Sequence, residues 1–318
     1  MDTMAVGGST RAVVTAMLAN AGIAIAKFVA YLVTGSAAML AESIHSVADT
    51  ANQALLLLGG RRARRVADDR HQFGYGRERY FWAFVVAMVL FALGGIFSIY
   101  EGISKIRHPH ELVSLGWAIG VLFFALAAES FAMRTAIIES LKVKGDKSWW
   151  EFIRKSRSPE LPVILLEDSG ALIGLLLALA GVGLTVLTGN PLWDGIGTLA
   201  IGILLVAISV VLTIEMKSLL IGEAATREHI AAITAAVTES PSVTRVINLK
   251  TQHIGPEELL VAGKVEFDQT LSNAQISNAI DTVETAIRES VPLTMQIYLE
   301  PDIYDSMHVG TPDGPPSH

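Results

Sequence analysis

The sequence predicts an α-helical membrane protein: six transmembrane helices followed by a small C-terminal α+β domain of order α-β-β-α-β, ferredoxin-like or heavy-metal-domain-like. Three observations carry this expectation. The 318 residues are 51% hydrophobic and only 17% charged, with a mean hydropathy of +0.47, too apolar for a soluble globular chain of this length. Apolar runs recur that approach the roughly 20 residues a bilayer crossing requires. After about Glu223 the runs stop and an ordinary alternation of apolar and polar residues takes over.

The six spans are expected at about Val13–Val33, Ala37–Gly60, Tyr80–Ile103, Leu112–Ile137, Leu161–Leu187 and Leu192–Met216. The opening MDTMAVGGSTR is short and polar and lacks the pattern of a cleaved leader, so the first span is expected to stay. Gly170 and Gly174, spaced as small-xxx-small, read as helix-packing contacts. The expected division is 1–222 for the membrane domain, 223–303 for the C-terminal domain and 304–318 for a loose Gly, Pro and polar tail.

Within the C-terminal domain, Thr226–Glu239 reads as a helix stopped by Pro241, and Val243–Thr251 as a strand. Val261, Gly263, Val265 and Phe267 alternate as one face of a second strand. Ser272 to Gln275, SNAQ, is a capping box opening a helix with Ile276, Ile280, Val283 and Ile287 on one face. Thr294–Glu300 closes the domain as a third strand.

Lysine and arginine are unevenly placed. The connection RRARRVADDRHQFGYGRER between spans 2 and 3 carries seven arginines, and the connection between spans 4 and 5 six more Lys or Arg residues. The other three connections hold only Lys105 and Arg107. By the positive-inside rule the basic connections and both termini face the cytoplasm or its equivalent. Topology accounts for the arginine run, so no nucleic-acid partner is expected.

Charged residues inside the spans are costly unless they face protein, water or a partner. Span 1 carries Asn20 and Lys27, span 2 Glu42, His45 and Asp49, span 4 Glu129 and Arg134, and span 5 opens with Glu167 and Asp168. His45 and Asp49, four residues apart, lie roughly 6 Å apart along a helix axis and about 40° apart around it. With no cysteine in the chain, a metal site must use His, Asp or Glu. Asp168 is the leading third ligand, because span 5 runs opposite to span 2 and brings it to the same half of the membrane. The other reading is that His45 and Asp49 pair with each other or with Lys27 and pin two helices together. There is no HExxH pair, and AESIH does not supply one, so an intramembrane metallohydrolase is not expected.

The six spans, HSVAD in span 2, the loop RHQFGYGRER and the α-β-β-α-β domain together resemble the cation diffusion facilitator family over about Arg11–Asp302. The stretch WWEFIRKSRSPELPVILLEDSGALIG, Trp149 to Gly174, is similar to the zinc transporter 9-like subgroup. The resemblance implies a homodimeric secondary transporter, set in a lipid bilayer, that exports divalent metal, Zn²⁺ above all, in exchange for protons. No organic cofactor is implied. Either a bacterial inner membrane or an organelle membrane suits it. His45 and Asp49 match the family's span 2 ligands, and Asp168 the second ligand of span 5. The first ligand of span 5 falls on Ile164, leaving Glu167, Glu129, Asn20 or a water for that corner. Asp68 and His71 match a loop zinc site in which Tyr75 replaces a histidine. The C-terminal histidine positions fall on Ile247, Gly263 and Tyr298, which implies a dimerisation module without most of its metal chemistry. His229 and His253 remain there and read as solvated surface residues. Two alternatives stand beside this reading: a non-transporting scaffold or regulator that retains the fold, and a transporter selecting Mn²⁺, Fe²⁺ or Co²⁺.

Overall fold

The computed structural model describes residues 13–305 apart from 16, 19, 27, 30, 31, 33–36 and 109–114, with the backbone alone for 37–45 and 115–118. Lys27, the His45 and Glu42 side chains and most of the expected tail therefore lie outside the described residues. The chain forms two compact units. One holds the membrane helices; the other holds the C-terminal domain, from Ser218, together with the loop Val66–Arg77. Sequence reading put that loop with the membrane domain.

In the first unit, helix α1 covers Ala37–Ala63 and α2 the continuous stretch Glu78–Arg107, whose middle, Leu90–Ile96, is π-helical. Helix α3 is Leu115–Lys144, α5 is Glu160–Thr188 and α6 is Leu192–Ile221. A seven-residue helix, α4, Trp149–Lys155, joins α3 to α5 and was not anticipated. Its start is fixed by Ser148, whose Oγ accepts from Glu151 N–H at 3.1 Å. Among the described residues, Glu78–Arg107, Ile119–Lys144, Glu160–Thr188 and Leu192–Ile221 are each long and apolar enough to cross a membrane. The chain is thus multi-pass. The expected second span is the helix α1, with 27 residues, whereas the first falls partly on residues outside the description.

Arg61 and Arg62 occupy the last turn of α1, where cations suit the negative end of a helix dipole. Helix α5 ends where Gly189 turns left-handed at φ 68° and returns its N–H to Thr185 O at 2.9 Å. Within the bundle α1 packs on α2 and α3 on α5. Helices α2 and α6 touch backbone to backbone. A Cβ at Gly102 would stand 2.6 Å from Leu199 N, and one at Gly202 2.6 Å from Ile99 N. Gly170 and Gly174 serve as the packing contacts expected of them, against Ile208 and Ile201 of α6.

The second unit has the anticipated order. Helix α7 (Arg227–Thr238) precedes strands β1 (Val243–Gly255) and β2 (Glu258–Phe267), followed by α8 (Asn273–Ser290) and β3 (Thr294–Pro301). The sheet order is β1-β2-β3, antiparallel between β1 and β2 and parallel between β2 and β3. Leu259, Val261, Val265 and Phe267, the alternating face of β2, bury against Ile233 and Val237 of α7 and Val283 and Ile287 of α8. Each such side chain contributes about 1.5–3 kcal/mol on leaving water. The Ser272 N–H donates to Gln275 Oε1 at 2.8 Å, as the capping box requires. The loop Val66–Arg77 is seated in this unit by Gly76, where a Cβ would lie 2.9 Å from Gly255 Cα.

Candidate functional site

The acidic residues that the sequence places in the spans come from three helices. Asp49 follows His45 by one helical turn on α1. Glu129 sits mid-way along α3 and Asp168 in the first half of α5. Ser46, Asp49, Glu129, Gly170 and Gly174 line a cavity of about 90 Å³ among α1, α3, α5 and α6. That is room for a few waters or one partly hydrated ion. Asp49 and Glu129 lie within electrostatic reach of both Glu167 and Asp168. Four carboxylates thus share one low-dielectric region, which favours a cation.

The two adjacent carboxylates of α5 differ in what they touch. Asp168 is 2% exposed and its Oδ2 meets no hydrogen-bond donor. Glu167 has both oxygens occupied: Asn52 Nδ2 donates to Oε1 and Gln53 Nε2 to Oε2, each at 2.9 Å. A buried acceptor without a donor is expensive, so the oxygen poised for a cation is that of Asp168. Asn52 and Gln53 escaped the sequence reading. The helical spacing that singled out Asp49 could have found them, since they follow it by three and four residues and both are polar within a span.

Ile164, at the position of the missing ligand, is fully buried in α5 with Val163 and Leu165. Asn20 is also buried, with its Oδ1 lacking a donor. Among the described residues no three His, Asp or Glu side chains close into a metal-holding group. The expected set includes His45, whose side chain lies outside them.

The loop residues Asp68 and His71 do come together, but as a hydrogen-bonded knot. Asp68 Oδ2 accepts from the Tyr75 hydroxyl at 2.6 Å, and Oδ1 from the His71 and Arg70 N–H groups at 2.8 and 3.0 Å. The Tyr75 hydroxyl first, then the His71 N–H, hold the Asp68 carboxyl down to about 2. The His71 and Tyr75 rings lie 4.4 Å apart. Tyr75 thus gives Asp68 a hydrogen-bond donor where the resemblance places a metal-binding imidazole.

His253 corrects an expectation: it is 1% exposed, not on the surface. It lies two residues before the end of β1, its Nδ1 3.2 Å from Gly255 O and its N–H donating to Glu223 O at 2.8 Å. Main-chain partners at the strand end permit an imidazole to be buried there. His229 lies in the first turn of α7, its N–H capped by Thr226 Oγ1 at 3.2 Å.

The profile described as the cation efflux transmembrane domain matches residues 13–221. The chain is 35% identical over 263 residues, 82% of its length and 47% of the relative's, to a protein of Xenopus laevis named proton-coupled zinc antiporter SLC30A9, mitochondrial. It is 29% identical to metal tolerance protein C4 of Arabidopsis thaliana, over 82% of this chain and 57% of the other. The cation-efflux pump FieF of Klebsiella pneumoniae is 24% identical over 89% of each chain. The chain spans about half the length of the first curated relatives it matches.

Proposed function

The chain belongs to the cation efflux family, in its zinc transporter 9-like branch, a family of transporters and not of enzymes, and from that premise we propose that it exports Zn²⁺ in exchange for protons by alternating access. The observation that carries the reading is the buried Asp168 oxygen without a donor, in electrostatic reach of Asp49 and Glu129, two acids that line a small cavity. His45, Asp49 and Asp168 hold the ion, and Glu129 is the best placed of the remaining acids to complete its shell. An imidazole among carboxylates suits zinc. Protons drive the cycle because these ligands must be deprotonated to bind metal, so acidification on the far side releases the ion and reloads the site with protons.

The same reading has the protein act as a homodimer through the C-terminal domain, without zinc there. Its basic connections and both termini face the cytoplasm or the equivalent compartment of an organelle. One observation favours a second cargo. With Ile164 in place of a ligand, Asp49, Glu129 and Asp168 make the site rich in oxygen, which suits Mn²⁺ or Fe²⁺.

Flux into proteoliposomes under an imposed pH gradient, with Mn²⁺, Fe²⁺ and Co²⁺ as competitors, tests the whole reading. Wild-type protein should move zinc and the Asp49→Ala, Asp168→Ala double variant should not. No flux of zinc or of any competing ion by the wild type would leave a scaffold or regulator, and undiminished flux by the double variant would remove the site. Since the chain lacks cysteine, single cysteines at Ser148 and Asn190 report topology, with Ser148 labelled only from the cytoplasmic side and Asn190 only from the other.

A further inference from the structure

Asn52, Gln53 and Glu167 form a buried three-membered contact between α1 and α5, with exposures of 1%, 0% and 6%. Each amide gives one N–H to one carboxylate oxygen, both at 2.9 Å. Consecutive helical positions point about 100° apart, so the longer glutamine reaches round to meet the same carboxylate as the asparagine. Both amides turn their nitrogens to the Glu167 oxygens, which act as the acceptors of the contact. Their own oxygens, Asn52 Oδ1 and Gln53 Oε1, are left without donors. Three buried groups are thus committed to one another, and the amides bear unsatisfied acceptors as a result.

The position of this contact matters more than its strength. Asn52 and Gln53 lie one turn, about 5.4 Å, beyond Asp49 along α1, and Glu167 immediately precedes Asp168 on α5. Each Glu167 oxygen already spends a lone pair on a fixed amide N–H, so an ion there would compete with two held donors, while Asp168 beside it offers an oxygen with none. We propose that Glu167 is a positioning residue and not a ligand: the Asn52–Glu167–Gln53 clamp locks α1 to α5 in one register and so sets Asp49 opposite Asp168. This deepens the transport reading and rests on it. Partners that orient ligands rather than bind the ion typically change metal affinity by about 10–100-fold when lost.

The test uses the full chain, with zinc titrated calorimetrically in detergent and flux measured in proteoliposomes. Glu167→Gln keeps the shape, and Gln53 can turn its amide to accept from the new side chain, so two hydrogen bonds survive. Zinc affinity should fall by less than about fivefold, below the range for a lost orienting partner. Gln53→Met and Asn52→Leu each strip a donor from a buried carboxylate and should weaken zinc by about tenfold or more. Adding Glu167→Gln to Gln53→Met should restore part of that loss, since a neutral side chain tolerates the missing donor better. A ligand would not be rescued in this way. A loss of about 100-fold or more in folded Glu167→Gln would make Glu167 a ligand and overturn the clamp. So would unchanged affinity in both amide variants, or no rescue in the double variant. If the wild type binds zinc without moving it, the transport reading fails and the clamp is still judged by the titrations. If it binds none, the same variants judge the clamp by thermal unfolding, where absence of coupling between Gln53→Met and Glu167→Gln overturns it.

Discussion

Arg79 and Glu160 join the start of α2 to the start of α5 through a two-pronged ion pair, Arg79 Nη2 donating to Glu160 Oε2 at 2.9 Å and Arg79 Nε to Oε1, with side chains only 11% and 7% exposed. Removing one partner takes from the other a two-pronged charged hydrogen bond made away from water. Glu160→Gln or Arg79→Gln should therefore cost about 3–5 kcal/mol, read by denaturant unfolding in detergent. The reversed pair, Arg79→Glu with Glu160→Arg, should recover part of it. By contrast Arg154 reaches Glu215 at 3.0 Å with its own side chain 56% exposed, and Arg154→Ala should change stability by no more than about 1 kcal/mol. Equal costs at the two pairs would show that burial does not set them apart.

The contact of α2 with α6 should be intolerant of a methyl group. Alanine at Gly102 or Gly202 would press against backbone nitrogen at 2.6 Å, which no rotamer change relieves, so each variant should lower the melting temperature and the pair should lower it further. Gly183 has nothing within 4 Å of a Cβ. Gly183→Ala should be neutral or gain up to about 1 kcal/mol from helix propensity. A melting temperature unchanged in Gly102→Ala would mean the helices can part freely.

Cargo selection should follow the ligand at His45. His45→Asp keeps an ionisable ligand but replaces nitrogen with oxygen, and competition assays should show a shift from zinc toward Mn²⁺. Ile164→His restores an imidazole at a fully buried position. Zinc should then raise its melting temperature by more than it raises that of the wild type, because binding to the folded state alone stabilises it. Glu42→Gln, about 60° round the helix from His45, should be milder than either Asp49→Ala or Asp168→Ala.

At the span 2–3 loop, Tyr75 decides between a knot and a metal site. Asp68 titrates at about 2 instead of 3.8, so its stabilising contacts are complete above about pH 4 and are lost as the pH falls through 2. Tyr75→Phe removes the largest contribution and should move the Asp68 titration upward, measured by carboxyl NMR with selectively labelled aspartate. Tyr75→His frees an Asp68 oxygen and adds an imidazole beside His71. In an Asp49→Ala, Asp168→Ala background it should create zinc binding that the parent lacks, and a flat titration would show that the loop cannot fold round an ion.

By itself the sequence determined the four described helices long and apolar enough to cross a membrane, the α-β-β-α-β order and the residues worth suspecting, because each rests on a short-range signal. Apolar run length marks a span, the alternation of Val261, Val265 and Phe267 marks a half-buried strand, and a four-residue spacing puts His45 and Asp49 on one face. The seven residues of α4 were too few to declare themselves by periodicity. Tertiary structure alone decided which of two neighbouring carboxylates keeps a bare oxygen. Glu167 and Asp168 are equivalent acids in sequence, and what separates them is a pair of amides 115 and 114 residues away. It likewise decided that loop Val66–Arg77 belongs with the C-terminal domain, through a contact of Gly76 with Gly255 that only two glycines permit. Hydrogen-bond partners and close backbone approaches depend on where distant segments end up, and no local pattern of residue types encodes that.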